Sequence, residues 1–365
     1  MKSKDICKHK LCTGCEACAN ICPHQAINMR PDWRGFKYPT IDNKLCINCN
    51  LCKKICPVNK SKEKFRFEKA YAFVEHNKNF LYKASSGGAF GVIARYVIQE
   101  KGIVFGATMN NNYDIYYKGV ETIEDLDLLY GSKYVQSYIN NTYKQIKEEL
   151  KKGRKVLFCG CPCQVAGLNE FLHIKYENLI TMDLICHGVP SQPYFKDYVQ
   201  DILKKNKNKG IKFFRFRWKP ETAIPSPETI YIGYRNKDYY MSYFLWGKGF
   251  RPGCYHCKFA GEIRQGDFTI GDFWNTNLPK LSIDETHGAS LILTNTSKAE
   301  ELKHLFKENG EFILIRTLHE AISKDGGQLM HPSKYDIRCN LIYITYKLFG
   351  VKGPAFLYKL NSIRF

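Results

Sequence analysis

Two stretches decide how this chain is read: Cys12-Thr13-Gly14-Cys15-Glu16-Ala17-Cys18-Ala19-Asn20-Ile21-Cys22-Pro23 and Cys46-Ile47-Asn48-Cys49-Asn50-Leu51-Cys52-Lys53-Lys54-Ile55-Cys56-Pro57. Both read C-x2-C-x2-C-x3-C-P. In this spacing three thiolates of a copy bind one 4Fe–4S cluster and the fourth crosses to the other cluster. One cluster is therefore expected on Cys12, Cys15, Cys18 and Cys56. The other is expected on Cys46, Cys49, Cys52 and Cys22. Zinc sites typically use two separated ligand pairs, and disulfide frameworks belong to oxidising compartments. Neither accounts for four close thiols repeated with their prolines.

The chain around this repeat has 365 residues, enough for about two or three domains with a sizeable core. Its hydrophobic content of 44% and charged content of 25% are those of a globular protein. Met1 to Lys10 is polar and basic, with no apolar stretch behind it, so a cytoplasmic location is expected. There the 16 cysteines favour metal over disulfides. No apolar run is long enough for a transmembrane helix. The formal charge is +20. Each cluster with its four thiolates contributes about −2, so three such sites would leave about +14. A basic surface attracts acidic partners, and an acidic electron carrier such as a ferredoxin is one; nucleic acid, anionic lipid and a plain lysine-rich solvated surface are the alternatives.

Residues 1–60 read as a small module whose clusters supply much of its folding free energy, with a short strand at Phe36 to Ile41. Polar residues through Lys64 read as a linker. Ala70 to Val74 then reads as a strand, Ser86-Gly87-Gly88 as a turn, the stretch through Ile98 as a helix, and Ile103 to Ala107 as a strand, a βαβ pattern. Small residues with a serine at a helix N-terminus suit an anion, although Ser86 also serves as a simple cap. Residues 114–121 read as a strand and 122–130 as a helix. Gly131-Ser132-Lys133-Tyr134 is a loop before a helix at 141–152. Lys155 to Phe158 and Leu179 to Ile185 are apolar strands, running into Cys159-Gly160-Cys161-Pro162-Cys163-Gln164 and Cys186-His187-Gly188-Val189-Pro190. In an open parallel sheet both turns lie on the carboxyl edge, where ligands bind.

Residues 210–250 read as strand-rich. Phe214, Phe216 and Trp218 alternate there with Arg215, Arg217 and Lys219, as in a half-buried strand with a basic outer face. No recognised nucleic-acid fold accompanies this pattern, so nucleic-acid binding is not expected. Residues 289–294 and 311–316 read as strands, and 297–309 as a helix. The tail from residue 331 is basic and aromatic. It suits a partner, a peripheral membrane contact, or packing back on the domain.

Cys254 and Cys257 form half of a metal site. Cys163 and Cys186 complete it if the sheet edge brings them together, and Cys159 and Cys161 compete with Cys163. Such a site holds a third 4Fe–4S cluster or structural zinc, and spacing does not choose between them. Cys7 and Cys339 have no evident partner.

These residues together resemble the coenzyme F420 hydrogenase/dehydrogenase beta subunit family, in the form preceded by a two-cluster ferredoxin domain. The resemblance rests on Ser86-Gly87-Gly88, Gly131-Ser132-Lys133-Tyr134, Pro162-Cys163-Gln164, Ile185-Cys186-His187-Gly188-Val189-Pro190-Ser191, Arg251-Pro252-Gly253-Cys254-Tyr255-His256-Cys257-Lys258-Phe259 and Gly271-Asp272-Phe273-Trp274. It implies an α/β (α+β overall) fold: a small ferredoxin-like domain at 1–60, a linker at 61–64, a mixed α/β domain at 65–330 and the tail at 331–365. It also implies an FAD-dependent oxidoreductase, with FAD beside a third 4Fe–4S cluster on Cys163, Cys186, Cys254 and Cys257. Ser86, Gly87, Gly88, Ser132, Lys133 and Tyr134 would lie near the flavin. His187 and Lys133 are the candidate catalytic residues, His187 by location only. Family members do not share one substrate: some act on coenzyme F420 within larger complexes, and others are associated with surface polysaccharide synthesis. The implied partner is a ferredoxin-like carrier or another oxidoreductase subunit.

Overall fold

Apolar runs bounded by glycine and charged turns build the central sheet of this protein. The computed structural model describes residues 6–60, 65–67, 69–205, 213–217, 229–231, 238–273, 288–315 and 327–362. An N-terminal hairpin is formed by β1 (Ile27–Pro31) and β2 (Lys37–Ile41). The central strands are β3 (Lys69–Glu75), β4 (Ile103–Met109), β5 (Ile115–Val120), β6 (Val156–Gly160), β7 (Leu179–Leu184), β8 (Phe268–Phe273), β9 (Ala289–Thr294) and β10 (Gly310–Ile315). Their order is β10-β3-β9-β8-β7-β6-β4-β5. Four consecutive strands of that order, β8, β7, β6 and β4, are mutually parallel; every other neighbouring pair is antiparallel. The fold is thus mixed α/β. Strands buried on both faces read as continuous apolar runs, which is why Val156 to Phe158 and Leu179 to Met182 were legible.

The hairpin turn is set by Asp32. Its Oδ1 accepts the N–H groups of Arg34 at 2.9 Å and Phe36 at 3.0 Å, an Asx turn that starts the return strand. The first sixty residues share a core with the rest of the chain. Cys12, Cys18, Phe36, Tyr38 and Cys56 lie in one buried cluster with Tyr194, Phe195, Tyr198, Tyr240, Phe250, Tyr255 and Tyr343. Tyr198 stacks on Tyr240 at 4.7 Å, and Phe36 meets Tyr343 edge-on at 5.4 Å. Such pairs contribute about 1 kcal/mol each beyond the area they bury.

Four helices matter for the site: α1 (Ala17–Ile21), α2 (Leu51–Lys54), α3 (Ala89–Gln99) and α4 (Pro162–Leu172). No helix among the described residues is long and apolar enough to cross a membrane. The tail forms two helices, Arg338–Phe349 and Lys352–Ser362, and the Tyr243 hydroxyl ties them back by donating to the Pro354 carbonyl at 3.0 Å.

Several sequence expectations change. β3 and β4 flank a helix as expected, but they are not neighbours, because β9, β8, β7 and β6 lie between them. The helix expected at 122–130 is a short 3-10 turn, Asp125–Leu128. The Lys133 ammonium donates to the carbonyls of Leu129 and Tyr130 at 2.9 Å each and closes the turn. Within the region expected as strands, Phe213–Arg215 and Thr229–Tyr231 do pair, but Tyr239–Leu245 is a helix. Asp238 caps it, accepting the Met241 N–H at 3.0 Å. The expected helix at 297–309 is two helices, Ser297–Leu302 and His304–Asn309. Trp218, Lys219, Trp274 and Arg364 lie outside the described residues.

Candidate metal centres and cofactor site

The repeated sequence produces a repeated backbone. Gly14 and its counterpart Asn48 both have positive φ, +71° and +59°. Glu16 and Asn50 are also left-handed, at +59° and +58°, and each begins a short helix, α1 or α2. Cys22 and Cys56 leave those helices at nearly the same angles, φ −69° and −68°. This winding turns successive thiols toward one point while the fourth faces the other copy.

The thiols of the two copies fall into two groups. Burial, then Cys15, Cys12, Cys56 and Cys52 in turn, pushes the Cys18 thiol up. Burial and Cys56 push Cys15 up to about 12. Cys12, Cys15, Cys18 and Cys56 are all buried. Cys7 joins them, its thiol meeting both Cys12 and Cys56, a partnership that sequence reasoning missed. The second group is held differently. Burial, then the Cys49, Cys22 and Cys46 thiols, raises Cys52 against a hydrogen bond from the Lys53 N–H. Cys22, Cys46, Cys49 and Cys52 line a shallow hollow that opens to solvent, together with Ile27, Ile41, Leu45 and Ile47. Cys49 is exposed. Four thiols around an apolar-walled hollow fit a thiolate-bound cluster. Among the described residues, no group of three or more His, Cys, Asp or Glu is arranged to hold a single metal ion.

A third group forms at the carboxyl edge of the sheet. β6 and β7 run parallel, with Cys159 opposite Met182 and Gly160 opposite Asp183, so the turns after them emerge together. Pro162 opens α4, where its missing N–H costs nothing. Gln164 fixes this end of the helix. Its Oε1 accepts the Cys161 N–H at 3.0 Å and the Tyr117 hydroxyl at 2.7 Å, while its Nε2 donates to the Ser137 carbonyl at 3.2 Å. Cys163 is thereby anchored, and after burial its thiol is raised most by Cys257, Cys186, Cys15 and Cys254. On the β7 side, Asp183 is fully buried and accepts from Arg264 Nη2 at 2.8 Å and Gln265 N at 2.7 Å, locking the 264–269 segment against β7, which leads to Cys186. The Arg251 N–H donates to Val189 O at 2.9 Å, and the Cys254 N–H to Arg251 O at 2.8 Å, bringing the two halves into register.

Cys163, Cys186, Cys254 and Cys257 are thus assembled from three segments. Cys161 is assembled with them: its sulfur lies 3.8 Å from that of Cys186. Cys159 points elsewhere. Burial and Asp183 push it up to about 12, with Lys133 opposing. Cys339 is buried apart, against Asp336.

The first and third groups are in direct contact. A Cβ added to Gly167 of α4 would stand 3.2 Å from both Cβ and Sγ of Cys15. One added to Gly253 would stand 2.5 Å from the Cys12 carbonyl oxygen. Between them lies Arg251, fully buried. Its Nε donates to Cys12 O at 2.7 Å, Nη1 to Gln136 Oε1 at 3.1 Å, and Nη2 to Lys37 O at 2.9 Å and Cys12 Sγ at 3.4 Å. The guanidinium also lies over the Tyr38 ring at 4.1 Å. Arg251 stood in the sequence only as the first residue of a motif. The signal available was an arginine three residues before a ligand-type cysteine.

The residues expected near a flavin also converge. The Ser132 N–H donates to the Ser85 hydroxyl at 2.7 Å, joining the two loops. Arg217 Nη1 bridges Ser85 O at 2.9 Å and Asp272 Oδ1 at 2.7 Å. Gly87 has no room for a side chain, since a Cβ would stand 2.1 Å from Phe73 O and 2.5 Å from Ser290 N. Gly88, at φ +94°, caps α3. Ser86 donates to Ala289 O at 2.6 Å. Tyr134 packs on Phe244 at 4.4 Å, and His187 approaches the same ring at 5.4 Å.

Residues 153–317 match the family described as the C-terminal part of the coenzyme F420 hydrogenase/dehydrogenase beta subunit, and residues 11–60 match the 4Fe-4S dicluster domain. Among solved structures, a chain from a study of the F420-reducing nickel–iron hydrogenase complex of Methanosarcina barkeri is similar, with a TM-score of 0.46 and 15% identity. That alignment covers 82% of this chain and 94% of the other. No curated protein sequence matches.

Proposed function

We propose that this protein is an iron–sulfur flavoprotein oxidoreductase, a reading supported by the match of residues 153–317 to the C-terminal part of the coenzyme F420 hydrogenase/dehydrogenase beta subunit and of residues 11–60 to the 4Fe-4S dicluster domain. It exchanges electrons with a ferredoxin-like carrier or a partner oxidoreductase subunit at one end. At the other end it serves a two-electron acceptor or donor, such as coenzyme F420 or an organic substrate. Cys22, Cys46, Cys49 and Cys52 would hold the outer cluster, Cys12, Cys15, Cys18 and Cys56 the inner one. Cys163, Cys186, Cys254 and Cys257 would hold a third, and Ser86, Gly87, Gly88, Ser132, Lys133 and Tyr134 would border FAD. The clusters supply one-electron transfer, and a flavin pairs those electrons for two-electron chemistry.

The observation that carries this reading is the succession of thiol groups from surface to sheet edge. Cys49 is exposed, Cys15 is buried, and Cys15 packs on the helix that bears Cys163. The aromatic core around Tyr194, Tyr198 and Tyr240 keeps water from the inner group.

Iron and flavin counts on anaerobically purified protein test the reading, followed by reduction with reduced ferredoxin and with reduced F420. About twelve irons and one FAD per chain are expected. About eight irons without flavin would sink both the third cluster and the oxidoreductase. A second reading, an electron-transfer subunit with no substrate site of its own, draws support from Lys133 and Ser86. Both side chains bond to backbone carbonyls. It predicts bound flavin and no turnover with small substrates.

A further inference from the structure

A buried arginine normally sits against a carboxylate, because an isolated charge is costly to remove from water. The protein shows both the rule and a departure. Arg264 is buried and pairs with Asp183 at 2.8 Å. Arg251 is fully buried, yet among the described residues no carboxylate lies within ion-pair distance of it. Its hydrogen-bond partners are the carbonyls of Cys12 and Lys37, the Gln136 amide oxygen and the Cys12 sulfur. Room has been made for the guanidinium: a Cβ at Gly14 would stand 2.8 Å from Nη1. Carbonyls and an amide solvate a cation but do not neutralise it. Of these partners only the Cys12 sulfur gains negative charge, on binding a cluster.

We infer that Arg251 is the internal counter-charge of the cluster held by Cys12, Cys15, Cys18 and Cys56, and that it raises that cluster's reduction potential. This rests on the assignment of that cluster made above. One added electron takes a four-thiolate cluster from about −2 to about −3. Burial opposes that change, so an inner cluster without compensation would sit below the exposed one and block the inward path. A cation hydrogen-bonded to a ligand sulfur stabilises the reduced form, through net charge and hydrogen bonding to sulfur. Arg251 also links the inner group to the third one through its own carbonyl, which accepts the Cys254 N–H. It is a positioning and tuning residue rather than a catalytic one.

The test is an EPR-monitored redox titration of the full-length, iron-loaded protein. Cys49→Ser and Cys257→Ala assign the signals by removing the outer and third clusters one at a time. In Arg251→Gln the inner midpoint is expected to fall, the outer midpoint to stay, and Arg251→Lys to recover most of the shift. Gln136→Glu guards against misfolding of the arginine variants. It supplies the missing carboxylate 3.1 Å from Nη1 while leaving the guanidinium in place, and it should lower the inner midpoint as well. An inner midpoint unchanged in a folded Arg251→Gln or in Gln136→Glu, with full iron, overturns the inference. So does a shift of equal size in all clusters. Wild-type protein with no iron at Cys12 would instead sink the cluster assignment itself, which the iron count reveals before any titration.

Discussion

The two copies of one twelve-residue motif fold alike and are buried differently. Cys12, Cys15 and Cys18 are buried, while Cys46 and Cys52 are half-buried and Cys49 is exposed. The surroundings differ accordingly. The first copy meets α4, Arg251, Gln136 and an aromatic core. The second meets solvent, with Lys44, Leu45, Ile47, Lys53 and Lys54 all exposed around it. Local sequence sets the winding of each copy, and tertiary packing decides its environment. The first copy is consequently part of the protein's core, whereas the second reaches that core only at its end, through Ile55 and Cys56.

Removing a thiol from each copy puts the greatest strain on that contrast. Cys15→Ser should lose the inner cluster and much of the soluble yield, because the same side chain packs against Gly167 of α4 and lies in one buried cluster with Tyr143. Cys49→Ser should lose about four irons and stay folded. Iron content and thermal unfolding under anaerobic conditions read both. Equal damage from the two variants would mean that the copies are structurally equivalent after all.

The turn residues sharpen the comparison at a smaller scale. Gly14 combines φ +71° with an ideal Cβ only 2.3 Å from Gln136 Nε2. Gly14→Ala should therefore cost about 2–4 kcal/mol, from strain and from displacing the Gln136–Arg251 pair. Asn48 has nearly the same φ but is exposed. Asn48→Ala should cost about 1 kcal/mol, from the backbone alone. Denaturant unfolding of the iron-loaded proteins measures both. A third contrast is kinetic. A ferrous chelator should remove about four irons in a fast phase, and Cys49→Ser should abolish that phase. A single phase for all the iron would contradict unequal burial.

The same distinction explains what was legible in the sequence. The eight motif cysteines were readable because they stand at a fixed local spacing, within the residues 11–60 that match the 4Fe-4S dicluster domain. The parallel strands β6 and β7 were readable because strands buried on both faces are uniformly apolar. The place of β3, separated from β4 by four strands, was not, since no local pattern encodes strand order. Tyr239 to Leu245 is rich in aromatics and so read as strand, yet Asp238 at its head was the capping signal. Cys7 and Arg251 escaped for a related reason. Arg251 acts on Cys12 from 239 positions away in the chain, and Cys7 joins the nearby Cys12 to the distant Cys56, and such long-range contacts leave no spacing to detect.

The smallest predicted effect on stability carries the sharpest functional content. Lys53 and Lys54 end α2 beside Cys52, and both are exposed. Exposed lysines contribute little to folding, so Lys53→Glu with Lys54→Glu should change unfolding free energy by less than about 0.5 kcal/mol. If this face receives an acidic carrier, however, reversing two charges next to the outer cluster replaces attraction with repulsion. The KM for reduced ferredoxin should rise about tenfold at low salt, and the difference should shrink as salt screens the surface. Reduction by a small uncharged donor should proceed as in the wild type, because the cluster itself is untouched. A KM that does not move would place the carrier elsewhere on the basic surface and leave the second copy without a role as the site of electron exchange.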